Sequence, residues 1–199
     1  MGRPLRIDLF VEDRAHEEFL KPLVRRMARE RGRTIHVSVR CARGGHGRAL
    51  SELELYQKAV AGGVGDLVMP DLVVVGIDGN CQPHRAARQE IRAKLNAAFR
   101  DRAVIACPAP HVERWFLADA VSFSQIVGAS ASVRKAKCQR DYYKRLLARA
   151  VVAGGHVPTL GGIEFAQEIV EAMDLYRAGK TDKSLRLLID ELGKALKSL

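Results

Sequence analysis

The sequence predicts an α/β fold: a parallel four-stranded sheet flanked by helices, with an all-helical C-terminal extension. Three observations lead there. The first two-thirds of the chain alternates short apolar strand patterns with longer helical ones. One run, Leu72-Val73-Val74-Val75-Gly76-Ile77, is continuous, β-branched and uncharged, as a central strand buried on both faces is. After His111 the remaining pattern is helical. Strands separated by helices imply right-handed crossovers and therefore parallel pairing.

Ile7-Asp8-Leu9-Phe10-Val11 is the first strand. Asp13 is placed to cap the helix that follows, whose apolar stripe is Phe19, Leu20, Leu23, Val24 and Met27. Pro22 is expected to kink or shorten that helix, and Gly32 to end it. Residues 34–40 alternate Ile35, Val37 and Val39 with polar residues and read as a second strand. A Gly-rich loop, Arg43-Gly44-Gly45-His46-Gly47-Arg48, precedes a helix expected over 50–60 that stops at Gly62-Gly63. The strand at 72–77 is followed by a helix over 83–99, with Ile91, Leu95 and Phe99 on one face. A fourth strand over 103–107 is stopped by Pro108 and Pro110. Helices are then expected over 112–126, 132–151, 163–176 and 183–196. Residues 1–126 form the α/β domain, and residues 127–199 a helical extension packed on it.

Hydrophobic residues make up 47% of the 199, enough for a substantial core and too many for a disordered chain. No apolar run approaches the roughly 20 residues of a transmembrane helix. The first residues lead into a strand rather than a signal peptide. A cytoplasmic protein without a membrane partner is expected. The four cysteines, Cys41, Cys81, Cys107 and Cys138, are widely spaced, so they are expected to be reduced, without a disulfide framework. The pairs Cys41/His46, Cys81/His84 and Cys107/His111 lack the tight spacing of structural zinc sites, and zinc is not expected. Lys and Arg number 33 against 23 Asp and Glu, a net charge of +10. Such an excess favours a polyanionic partner, nucleic acid above all, although a soluble Arg-rich protein shows the same sign.

Ligands of an open parallel sheet bind outside the carboxyl ends of its strands. Polar residues from four chain segments fall there: Glu12-Asp13, the Gly-rich loop, Asp78-Gly79-Asn80, and His111 with Glu113. Glu12 and Asp78 are the centre, because each directly follows an apolar strand. Their carboxylates are expected within reach of one divalent cation, with Asn80 and Glu113 as further ligands; hard cations take such oxygens and keep several waters. Each acid alone also fits a helix cap or strand terminator. Arg43, Gly44, Gly45, His46 and Arg48 offer backbone N–H groups and charge to a phosphate, or form an ordinary flexible loop. Lys137, Arg140 and Lys144 lie on one face of the helix expected over 132–151 and suit a phosphate backbone or solvent. Trp115, Phe116 and Leu117 read as core.

Phe10-Val11-Glu12-Asp13 with Glu17 and Phe19-Leu20 resembles the first motif of Toprim (topoisomerase–primase) domains, and residues 73–80 resemble the second. Pro110-His111-Val112-Glu113-Arg114-Trp115-Phe116-Leu117-Ala118-Asp119 is similar to a signature of small stand-alone Toprim-like prokaryotic proteins, related to nucleases of the overcoming-lysogenization-defect type. The resemblance implies a Toprim-like sheet and Mg²⁺- or Mn²⁺-dependent phosphodiester chemistry on DNA or RNA, in phage defence or repair. Glu12 would be the acid/base or metal-ligating glutamate and Asp78 the first metal aspartate. Asn80 departs from the second aspartate of that pattern, and Asp13 stands where glycine is usual. A catalytically degenerate module that binds nucleic acid or a partner is the alternative. A third reading is a subunit working with a separate ATPase. If the basic excess serves nucleic acid, affinity for a short DNA or RNA fragment should fall by about tenfold or more between 50 and 200 mM salt through counterion release; no binding at low salt, or binding indifferent to salt, removes any nucleic-acid role.

Overall fold

The apolar runs become four strands: β1 (Leu5–Val11), β2 (Ile35–Cys41), β3 (Leu72–Gly76) and β4 (Ala103–Ala106). The structure, a computed structural model, describes residues 3–42, 44–131, 133, 138–139 and 141–199. All strand pairs are parallel, in the order β2-β1-β3-β4. The crossovers are α1 (Arg14–Arg29), α2 (His46–Ala61), and α3 (His84–Ala93) with α4 (Ala97–Arg100). Beyond β4 come α5 (Glu113–Phe116), α6 (Ala120–Val127), α7 (Tyr142–Ala153), a 3-10 turn (Ile163–Phe165), α8 (Ala166–Ala172), α9 (Leu175–Thr181) and α10 (Lys183–Ser198). From β1 the chain winds to one side to make β2, then crosses back to make β3 and β4. The reversal leaves a crevice between the carboxyl ends of β1 and β3, where ligands of such sheets bind. Among the described residues no helix is long and apolar enough to cross a membrane.

Strand alternation divides the core in two. Ile7, Leu9 and Val11 face Phe19, Leu20 and Leu23 of α1 together with Phe116, Tyr143 and Leu188 of the later helices. Phe10, Val73 and Val75 face Leu53 and Tyr56 of α2, Ile91 of α3 and Phe99 of α4. The C-terminal helices thus share a layer with α1. Residues 114–119 fasten them. Arg114 Nη1 donates to the carbonyl of Ala109 at 2.6 Å and lies 3.0 Å from the buried Asp182 carboxylate. The indole N–H of Trp115 donates to Ser184 Oγ at 2.9 Å. Asp119 accepts from Arg177, Ser122 Oγ and the Asp174 amide. Burial would raise the Asp119 pKa, but the hydrogen bonds, Arg177 foremost, hold it at about 2.

Several boundaries differ from those that periodicity alone places. Helix α2 starts at His46, not near residue 50. The helix expected over 83–99 breaks because Asn96 accepts from the Phe99 amide and starts α4. The one expected over 112–126 divides at Asp119, and that over 163–176 at Asp174, whose carboxylate caps α9. Pro22 sits within an uninterrupted α1. Of the helix expected over 132–151, residues 132, 134–137 and 140 lie outside the described residues, and α7 begins at Tyr142. The cysteine expectation is corrected as well. Cys81 and Cys138 are paired in a disulfide, with Cα atoms 5.5 Å apart, while Cys41 and Cys107 are free. The two are 57 residues apart in sequence and meet only because the chain returns past the loop after β3, which their spacing could not reveal.

Gly79 ties the loop after β3 to the loop after β4. Its amide donates to Pro108 O at 2.9 Å, and a Cβ there would lie 2.8 Å from that same oxygen and 3.3 Å from Cys107 Sγ. Gly79→Ala is therefore expected to destabilise the protein by about 1–3 kcal/mol, the usual cost of overpacking. Denaturant unfolding checks this, and an unchanged midpoint would refute the close approach.

Candidate functional site

Glu12 follows β1 and Asp78 follows β3 by two residues, so both stand at the crevice where the winding reverses. The ladder continues past the strand, with the Glu12 amide donating to Gly76 O at 2.8 Å. The Glu12 carboxylate then accepts from the Asp78 amide at 3.0 Å, and Asp78 Oδ1 accepts from the Val112 amide at 2.9 Å. One side chain from α1 completes the centre. His16 is fully buried, with Nδ1 2.8 Å from Asp13 Oδ1 and Nε2 3.2 Å from Asp78 Oδ1. Asp13 Oδ1 also accepts from the His16 amide, so one carboxylate caps the helix and holds the imidazole. Ligand atoms of Glu12, His16 and Asp78 all lie within 4.8 Å of one another.

Gly76 is what lets α1 come this close. A Cβ there would lie 2.6 Å from Leu20 Cδ1 and 3.3 Å from His16 Cδ2. From the other side of the cleft, Glu113 in the first turn of α5 enters 2% exposed. Its Oε2 has no hydrogen-bond partner among the described residues, and Lys144 Nζ of α7 lies 3.8 Å from Oε1. The cleft has a volume of about 260 Å³ and is walled by Glu12, Asp13, Asp78, Asn80, Glu113 and Asp141, together with Gly44, Gly45, His111 and Lys144.

Crowded acids shape the protonation of the site. Burial, then the charge of Asp78, raises the pKa of Glu12 and pushes that of Glu113 up to about 7. Burial alone would push the His16 imidazole down. The charge of Asp78 and the contacts with Asp13 outweigh it and hold His16 well above the ordinary histidine value. Burial would likewise raise Asp13, yet its bonds to His16 hold it at about 2. The raised pKa favours the protonated form of His16, which stands between two carboxylates. A divalent cation, when bound, would add to the neutralisation of Asp78 that His16 supplies. The group that could hold a cation is two carboxylates and one imidazole, and among the described residues the buried Glu113 Oε2 beside it has no hydrogen-bond partner.

Of the residues singled out in the sequence, Glu12, Asp13, Asp78, Asn80, His111, Glu113, Gly44, Gly45 and Lys144 converge on this cleft. Asn80 does so with a left-handed backbone, φ 50°, its amide bonded to Pro110 O. His46 and Arg48 do not line it: His46 Nε2 lies 3.2 Å from Glu90 of α3, and Arg48 Nε pairs with Glu52 at 2.6 Å. Arg43, Lys137 and Arg140 lie outside the described residues. Sequence reasoning missed His16 and Asp141. The signal for His16 was available: a histidine on the apolar stripe of an amphipathic helix, three residues after the aspartate that caps it.

The pH dependence of the metal-free protein follows. Glu113 and His16 each bind a proton more tightly folded than unfolded. Their stabilisation is complete at low pH and is lost as pH rises, for Glu113 between about 4.5 and 7, and for His16 above about 6.5. Asp13 acts oppositely, its contribution vanishing only in strong acid. The melting temperature in chelator should thus decline from about pH 5 to 8. Glu113→Gln should flatten the part below pH 7, a difference of about 3 kcal/mol at most; a decline unchanged in that variant would mean Glu113 ionises freely. Comparison with known proteins finds no matching family model, no matching curated protein and no matching solved structure.

Proposed function

We propose that the protein is a Mg²⁺- or Mn²⁺-dependent nuclease, or a closely related phosphodiester-cleaving enzyme, acting on DNA or RNA. The observation that carries this is the convergence of Glu12, Asp78, Glu113 and Lys144 on one cleft at the strand switch point, with Glu113 Oε2 lacking a hydrogen-bond partner among the described residues. The resemblance of residues 10–20, 73–80 and 110–119 to Toprim-type nucleases supports the same reading, as does the net charge of +10. When bound, the cation would supply positive charge against the charge that develops on a phosphate under attack. Asp78, Glu12 and Glu113 would hold it. Glu12, which lines the cleft and has a raised pKa, suits the management of a proton. Lys144, mostly exposed at its tip, can reach a phosphate oxygen from the opposite wall. His16 touches no open space; it positions Asp13 and Asp78.

One observation favours a second reading. Asn80, not an acid, lines the cleft, which weakens the field for a second cation and would suit a module that binds nucleic acid or a partner without cutting it. A separate ATPase partner is compatible with either reading.

Melting and cleavage measured on one preparation, with Mn²⁺ and with chelator, separate these. A cation bound only by the folded state should raise the melting temperature. Asp78→Asn should abolish the rise, and Glu12→Gln should reduce it. Cleavage of a single- or double-stranded substrate should require the metal and fall by about 10²-fold or more in both variants. No metal-dependent rise refutes the metal site. A rise with no cleavage of any nucleic acid refutes the enzyme and leaves the binding module.

A further inference from the structure

A second hollow shares a wall with the acidic cleft. Asp13, Glu113 and Lys144 line both. On its far side the hollow is lined by Ala15, Leu160, Gly161 and Ile163, with Arg14 at the rim, and its volume is about 270 Å³. Polar groups that would hold a cation stand on one side of the shared wall, and aliphatic side chains stand on the other. Arg14 is engaged with Glu18 at 3.1 Å.

The loop that builds the hollow is held in place. The Glu164 carboxylate accepts from the Gly162 amide at 2.8 Å and the Leu160 amide at 3.2 Å. Gly161 and Gly162 take positive φ of 72° and 100°, and a Cβ on Gly162 would lie 2.8 Å from Leu147 Cγ. Fixed this way, the loop keeps Leu160 39% exposed at the hollow. A single exposed leucine is ordinary on a protein surface. Here the loop holds it in place, at an apolar hollow that shares Asp13, Glu113 and Lys144 with the charged cleft.

We propose that this hollow receives the base of the nucleotide adjoining the phosphate in the acidic cleft, so that the preferred substrate is unpaired at that position. This rests on the nuclease reading above. The volume is below that of pockets that enclose whole ligands, roughly 300–1,000 Å³, and suits a fragment such as one base. Leu160 and Ile163 give an apolar surface for the face of a base, and Lys144 on the shared wall reaches the phosphate joined to it. A base paired in a duplex is stacked on both faces, so it must leave the stack before its face can meet Leu160 and Ile163.

The test uses single-stranded oligonucleotides with an abasic residue at each position in turn, alongside the intact strand and its duplex. Equilibrium binding and cleavage rates are measured with Mn²⁺ for the wild type, Leu160→Ser and the conservative Leu160→Met. In the wild type, one abasic position should weaken binding, and slow any cleavage, by about tenfold, as loss of one base contact does. The duplex should be the poorer substrate. Leu160→Ser should shrink the abasic effect to about twofold or less while keeping the Mn²⁺-dependent rise in melting temperature, and Leu160→Met should retain it. Equal treatment of intact and abasic strands, or a preference for duplex, overturns the proposal; the wild-type comparison decides it even if a variant fails to fold. Base-dependent binding without cleavage keeps the hollow and refutes the nuclease. Cleavage indifferent to the abasic position does the reverse.

Discussion

The site is organised around one buried imidazole, His16, held between the carboxylates of Asp13 and Asp78. Carboxylates brought together at low dielectric repel one another, and burial penalises their charged forms. Of the five acids that wall the crevice, Glu12 and Glu113 are shifted upward in pKa. Asp13 and Asp78 flank His16, and their charges raise its pKa against the penalty of burial. Remove the imidazolium and Asp13 and Asp78 face each other's field without a counter-charge, at a point where β1, β3 and α1 all meet.

Much of the surrounding architecture delivers that one ring. Asp13 starts α1 and fixes its first turn. Gly76 withholds a side chain where Leu20 and His16 pass. Gly79 brings the loop after β3 against the loop after β4, from which the Val112 amide reaches Asp78. The run from Glu113 to Asp119 divides its work. Glu113 faces the cleft, while Arg114, Trp115 and Asp119 bind the helices that follow, so a chemical residue and three anchors share one short segment. A segment that must satisfy both demands is more constrained than one that serves either alone.

The strands were legible because a parallel sheet buried on both faces demands uninterrupted apolar runs, and residues 72–77 supply one. Glu12 and Asp78 were legible because each follows such a run. Helix breaks at Asn96 and Asp174 were not, since a polar side chain that caps a new turn outweighs an apolar repeat that continues across it. His46 and Arg48 read as phosphate ligands only while they were assigned to a loop; the earlier start of α2 turns them toward Glu90 and Glu52. The Cys81–Cys138 pair depends on contacts between segments 57 residues apart, and no local pattern encodes it. Leu160 follows the same logic, reaching the hollow beside the cleft from a stretch between two helical patterns.

The strand order has a mechanical consequence. β1 and β3 are the inner strands, each hydrogen-bonded on both sides, while β2 and β4 have one neighbour each. Inner strands open last in local fluctuations, and outer ones fray first. Glu12 and Asp78 follow the inner pair, whereas Gly44 and Gly45 follow β2 and Glu113 follows β4. The cleft therefore joins a stiff half to a compliant half. The spacing of the two central acids is set by the most persistent part of the sheet, and accommodation to a ligand of varied shape falls to the outer walls.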